Sequence, residues 1–99
     1  MDRLPFDIGR VVRSTQGRDE GRWFVVIRPE DDGFVWMADG LTRKLEHLKK
    51  KKTKHLKPKP IRMEDVQIKL EKHQLLDSDL RRFLDANGLG IEQPLCKED

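Results

Sequence analysis

Five consecutive apolar residues, Trp23-Phe-Val-Val-Ile27, stand between Arg22 and Arg28 in a chain of 99 residues. The run is far too short to span a bilayer. Its β-branched and aromatic make-up, ended by Pro29, predicts a strand. Successive side chains of a strand point to opposite faces, so Trp23, Val25 and Ile27 look one way and Phe24 and Val26 the other. Both faces therefore need cover, which excludes a sheet with one wet side at this position.

The neighbouring segments supply partners. Ile8–Arg13 reads as a short β-branched strand, and Ser14–Gly21 as a loop with Gly17 and Gly21 at left-handed positions. Glu30–Gly33 forms a turn and Phe34–Ala38 a third strand. Asp39-Gly40 is the strongest tight-turn signal, followed by a fourth strand over Leu41–Leu45, with His55-Leu56 as a short closing strand. Short strands joined by tight turns within some fifty residues satisfy their edges most economically by bending into a small barrel. The class expected is mainly β, with Trp23, Phe24, Phe34 and Trp36 in the core.

Lys57-Pro-Lys-Pro60 predicts a break, since proline disfavours helix and regular ladder pairing. The expected organisation is a barrel with a basic tract over residues 1–58, a helical appendage over 59–88 and a flexible tail over 89–99. Met63, Val66 and Leu70 form a helical stripe, although Val66, Ile68 and Leu70 also alternate as a strand does. Glu64 and Asp65 favour the helix through its dipole. Asp77 is the expected N-cap of a second helix with a Leu80, Phe83, Leu84 stripe, stopped by Asn87-Gly88. These helices are the natural cover for the outer face of Trp23–Ile27.

Charged residues make up 39% of the chain and apolar ones 35%, a balance suited to a folded domain with solvated segments. The net charge of +3 hides an asymmetry: residues 1–60 carry 15 basic and 9 acidic groups, residues 61–99 carry 6 and 9. Within Arg43–Lys59, nine cations face the single acid Glu46. A local excess of that size self-repels unless an anionic partner meets it. The first residues lack an apolar stretch behind a basic start, and the lone Cys96 builds no disulfide framework. A cytoplasmic protein without a membrane segment is expected.

Asp7–Ile27, with its strand, Gly17–Gly21 basic loop and second strand, resembles the KOW motif of ribosomal proteins and transcription elongation factors. Gly17-Arg-Asp-Glu-Gly21, Ala38-Asp-Gly40, Arg43-Lys-Leu-Glu46, the lysine run and Lys54-His-Leu56 follow in order. That series is similar to large-subunit ribosomal protein fourteen of archaea and eukaryotes, and closer still to small stand-alone bacterial KOW-domain proteins related to it. The likeness covers residues 6–58; Leu48 departs from it, standing where a proline is expected before the lysines. It implies an SH3-like barrel that binds RNA in a ribosomal setting, with RNA and ribosomal proteins as partners.

The residues agree with an RNA-contacting set. Arg13, Arg18 and Arg22 lie in or beside the Gly17–Gly21 loop, where small residues let backbone N–H groups approach phosphate and Arg offers a planar fork. Arg43, Lys44, Lys49, Lys50, Lys51, Lys52, Lys54, Lys57 and Lys59 are suited to counterion release, with His55 among them. Neutralising about six phosphates predicts a slope of log affinity on log salt of about −4 to −5. Trp23 and Trp36 are expected to pack in the core in preference to stacking on bases. No alternation of aromatic and basic residues along the chain supports base-specific reading. His47, His55, His73 and Cys96 lack metal-ligand spacing, so neither metal nor cofactor is expected. Ser14, Thr15 and Ser78 have no base nearby in sequence and no nucleophile elbow or phosphate loop is present, so a non-enzyme is expected. Two rivals remain: a protein-interaction domain docking a partner on the barrel or on Leu80, Phe83 and Leu84, and an acidic appendage lying over the basic tract.

Overall fold

In a computed structural model that describes residues 5–89, Trp23–Pro29 forms β2, the central strand of a five-stranded antiparallel sheet. β1 (Arg10–Ser14) and β3 (Phe34–Ala38) flank it; β4 (Lys49–Lys52) lies beyond β3, and β5 (Leu56–Arg62) beyond β1. Two short helices follow, α1 (Val66–Glu71) and α2 (Asp77–Ala86). Neither is long and apolar enough to cross a membrane.

The two-sided apolar pattern of β2 has the consequence expected of it. Phe24 and Val26 join Val12, Val35, Met37 and Leu56 in one buried cluster made by the strands alone. On the opposite face Val25 and Ile27 join Val11 and Ala38, and there Met63, Val66, Leu80 and Leu84 close over them. A bulge lies between Val26 and Arg28 in the β2–β3 pairing, where Val26 opposes Met37 and Arg28 opposes Trp36. The helical stripe is thus spent inside the molecule: Leu80 and Leu84 are buried and Phe83 packs beside them, so the stripe is not a free docking face.

The sheet is strongly curled. Only the 3-10 turn Thr53–His55 separates β4 from β5, which sit at opposite edges. Thr53 N–H donates to Gly33 O and Thr15 N–H to His55 O, both at 2.9 Å. In a flat sheet Gly33 and Thr15 would lie near opposite ends of β2, a strand about 23 Å long at the usual rise. Three residues bridge them only if the strands coil back on themselves. Among the described residues no ladder joins β4 to β5, so the edges meet through the turn and not through strand pairing.

Two sequence expectations need correction. Leu41–Leu45 is not a strand. Buried Asp39 accepts hydrogen bonds from Leu41 N–H, Arg43 N–H and Thr42 Oγ1 at 2.6–2.9 Å, which ties the segment into a closed loop before the 3-10 turn Leu45–His47. The fourth strand is instead the lysine run. Nor is Lys57-Pro-Lys-Pro60 a boundary: it lies inside β5, opposite β1, with Pro58 facing Val12, although the register shifts between Pro58 and Arg62, so the pairing there is irregular, as the prolines predict. An edge strand tolerates proline because one side of it needs no donor.

The helices dock through named contacts. α1 resolves the helix-or-strand ambiguity in favour of the helix, as the dipole argument suggested. Leu76, not Asp77, is the N-cap of α2; the Asp79 carboxylate accepts the Leu76 N–H at 2.9 Å, doing from the third position what a capping side chain does. Asp77 is thereby released to accept Leu45 N–H at 2.7 Å, and Arg81 donates to Gly40 O at 2.7 Å. Gly40 has φ +78°, and a side chain there would strike the Asp77 carbonyl. Only glycine both turns the chain and lets α2 come this close. Asn87-Gly88 ends the helix as expected, with Gly88 at φ 73° and Leu89 N–H bonded to Leu84 O. Of the tail expected over 89–99, residues 90–99 lie outside the described residues, Cys96 among them.

Candidate nucleic-acid interface

The β1–β2 connection is built around its two glycines, Gly17 at φ 92° and Gly21 at φ 88°, the left-handed positions the composition predicts. Gly21 N–H to Ser14 O (2.8 Å) and Ser14 N–H to Arg22 O (2.9 Å) close its base. Between the glycines Asp19 turns inward. Its Oδ1 accepts from Ser14 Oγ and from Lys51 Nζ, both at 2.8 Å, and Lys49 Nζ lies 3.7 Å from Oδ2. Burial works against the Asp19 charge, but the hydrogen bonds from Lys51 and Ser14 and the charges of Lys51 and Lys49 outweigh it. The carboxyl is held below its ordinary range.

Lys51 is correspondingly internal, with its side chain 10% exposed, donating also to Gln16 O at 2.7 Å. It was expected among the RNA-contacting lysines; the alternation of β4 places it inward, where it fastens the loop. Lys49 shares that inward side in part, and Lys50 and Lys52 point out.

Fastening the loop to β4 brings together cations that are distant in sequence. Arg18 and Arg22 from the loop, Arg43 from the Asp39 turn and Lys49 from β4 line one depression of about 260 Å³, with Asp19, Phe24 and Thr42. Among the described residues Arg18, Arg22 and Arg43 have no carboxylate within ion-pair distance, so three guanidinium groups converge without neutralisation. No cation of Arg43–Lys59 pairs with an acid of residues 61–89 either: the helical acids Asp65 and Asp79 pair with Lys69 and Arg82. The described helices do not lie over the tract as a competing anion.

The other expected residues spread from this depression. Arg13 stands on the outer face opposite both Trp23 and Lys57, and its guanidinium lies 5.8 Å from the Trp23 ring centroid. Lys59 approaches the same ring at 5.5 Å. Lys50 and Lys52 flank Phe34 on β3, and Lys54 follows in the 3-10 turn. Lys44 is exposed beside the Asp39 loop. His55 is half-buried, and its carbonyl is held by Thr15 N–H and Oγ1. It contributes backbone to the β4–β5 corner.

The aromatic side chains correct the sequence reading most. Of the four expected in the core Phe24 is buried and Trp23 packs, half-buried, against the helical cluster; Phe34 and Trp36 are partly exposed and belong to neither cluster. The helices cover the middle of the outer face and stop short of its ends. Cations sit against these rings: Arg28 at 5.4 Å and Lys50 at 5.6 Å from Trp36, Lys50 at 4.8 Å and Lys52 at 5.9 Å from Phe34. The alternation of aromatic and basic groups that the linear chain lacks is assembled across strands. The sequence reading does not bring Arg28 and Phe34 to this surface and prefers the core to base stacking for Trp36; the placement of Phe34 and Trp36 opposite Lys52 and Lys50 is visible only once the lysine run is a strand. Set against protein-family models and curated proteins, the chain matches none.

Proposed function

We propose that this chain is a non-enzymatic RNA-binding module of the KOW type, an SH3-like barrel that holds structured RNA of the ribosome by its backbone and shape. The observation that carries the reading is the convergence of Arg18, Arg22, Arg43 and Lys49 on one depression, joined from the two segments that the motif resemblance marks. Three arginines without an ion-pair partner among the described residues, two from the fastened loop and one from the Asp39 turn, suit phosphate oxygens, for which the guanidinium fork is shaped. The fastening of that loop by Asp19 and Lys51 fits the need to hold donors in place before the ligand arrives. The curled sheet and the short β4–β5 corner are the features expected of a small barrel.

Binding to a structured RNA across a salt series tests it. Neutralising about four phosphates at this depression predicts a slope of log affinity on log salt of about −3 to −4. Arg18→Ala with Arg43→Ala should weaken binding alike for all sequences and lower the slope by about 2, while Lys72→Ala on the helical side leaves it unchanged. Affinity insensitive to salt, or equal in the double variant, rejects the proposal.

A further inference from the structure

The depression above leaves unexplained a second basic patch on the outer face of β3 and β4. Phe34 and Trp36 belong to neither buried cluster, although each is a large apolar ring. Phe34 lies at a cleft of about 410 Å³ lined also by Asp32, Gly33, Lys52, Thr53 and Lys54, a size in the range of ligand clefts, about 300–1,000 Å³. Trp36 Nε1–H donates to Glu30 Oε2 at 2.7 Å, which pins the edge of the partly exposed indole, while Arg28 and Lys50 lie against the ring. Lys50 serves both rings at once, 4.8 Å from Phe34 and 5.6 Å from Trp36, and is paired only loosely, at 3.8 Å, with Asp32.

We infer that this patch takes an unpaired nucleotide of the bound RNA, its base stacked on Phe34 or Trp36 and its phosphate met by Lys50 and Lys52. The inference rests on the RNA-binding reading above and assigns the single-stranded part of the same ligand. The Lys50 ammonium, shared between the two rings beside Arg28 on Trp36 and Lys52 on Phe34, gives up a ring face to a base while its flexible stem carries it to the phosphate. Stacking on aromatic faces accepts any base, which suits recognition of RNA by backbone and shape. Four cations, Arg28, Lys50, Lys52 and Lys54, outnumber the three carboxylates of the adjoining turn, Glu30, Asp31 and Asp32, with Arg28 paired to Glu30 at 3.4 Å and Lys50 to Asp32 at 3.8 Å. An acidic peptide satisfies the charge but offers the rings no flat partner.

The experiment uses the full chain with a blunt RNA duplex, the same duplex carrying an unpaired adenosine tail, and a glutamate-rich peptide. Fluorescence anisotropy is read for each ligand. The tail should tighten binding at least about fivefold. At least one of Phe34→Leu and Trp36→Leu, each confirmed folded by thermal unfolding, should lose that gain and keep the affinity for the blunt duplex. A tail that adds nothing, or variants that keep the gain, overturn the inference and leave the RNA-binding reading standing. Binding of the peptide in place of the tail, abolished by Phe34→Leu, overturns it in favour of a protein ligand. Failure of both RNAs to bind overturns the inference together with the reading beneath it.

Discussion

Where α1 and α2 cross the sheet, contact is apolar: Met63, Val66, Leu80 and Leu84 fill against Val11, Val25, Ile27 and Ala38. Where β4 meets the β1–β2 loop, the equivalent position is charged, and Lys51 reaches Asp19 and Gln16 instead of a hydrophobic partner. The first region derives its strength from area removed from water, and tolerates any side chain of similar volume. The second derives its strength from geometry, and fails if one partner is removed while the other stays buried. Cohesion thus sits on the helical side, and the basic side is organised without being covered.

Leu80→Ala breaks the comparison on the helical side. Its side chain is fully buried, so the loss should be about 3–5 kcal/mol, read as a lower denaturant midpoint. A loss below about 1 kcal/mol would mean that α2 merely rests on the sheet.

Adjacent lysines sharpen the contrast. Lys51→Ala leaves the largely buried Asp19 carboxylate with the Ser14 hydroxyl and only the more distant Lys49 as a cation, and should cost about 3 kcal/mol. Lys50→Ala removes an exposed ion pair and cation–π contacts, worth under about 1 kcal/mol. Equal effects in chemical denaturation would contradict the inward and outward alternation of β4.

The smallest effect distinguishes the two regions by acid. In the helical region Asp79 is held below its ordinary range first by the Leu76 N–H, with burial opposing and Lys69 and Arg82 assisting. Asp19 plays the corresponding part under the loop. Both folded values lie below the ordinary 3.8, so in acid the unfolded chain binds more protons and stability rises with pH. Their contribution is complete above the unfolded value and disappears as pH falls through the folded ones. Asp19→Asn and Asp79→Asn should each flatten the acid limb of a stability–pH curve, and an unchanged limb would remove both carboxylates from the account.

How much of this was readable in the chain follows from how local each cause is. β1, β2 and β3, the glycines of the first loop, the helical stripes and the Asn87-Gly88 stop are set by neighbours within a few residues, and the residue types announce them. β4 was misread because its one buried position is filled by Lys51, whose partner Asp19 is 32 residues away. No apolar alternation exists to reveal such a strand. β5 was misread because proline was weighed against a ladder as though the strand were central. For the site, the residue types of the loop and the tract were legible, but their convergence depends on the curl of the sheet. The outward turn of Phe34 and Trp36 depends on where the helices end, which no local pattern encodes.

The two prolines of β5 bear on how the molecule behaves in a crowd. Pro58 and Pro60 lie in a strand at the outer margin of the sheet, and proline is accepted there with its missing donor turned to solvent. A strand arriving from another copy would find two of its carbonyls unmatched along that margin. At the opposite margin it would meet four lysines in a row. Both open borders thus repel self-templated growth by different means. A chain with so many β-formers thus guards both margins of its sheet against a strand from another copy.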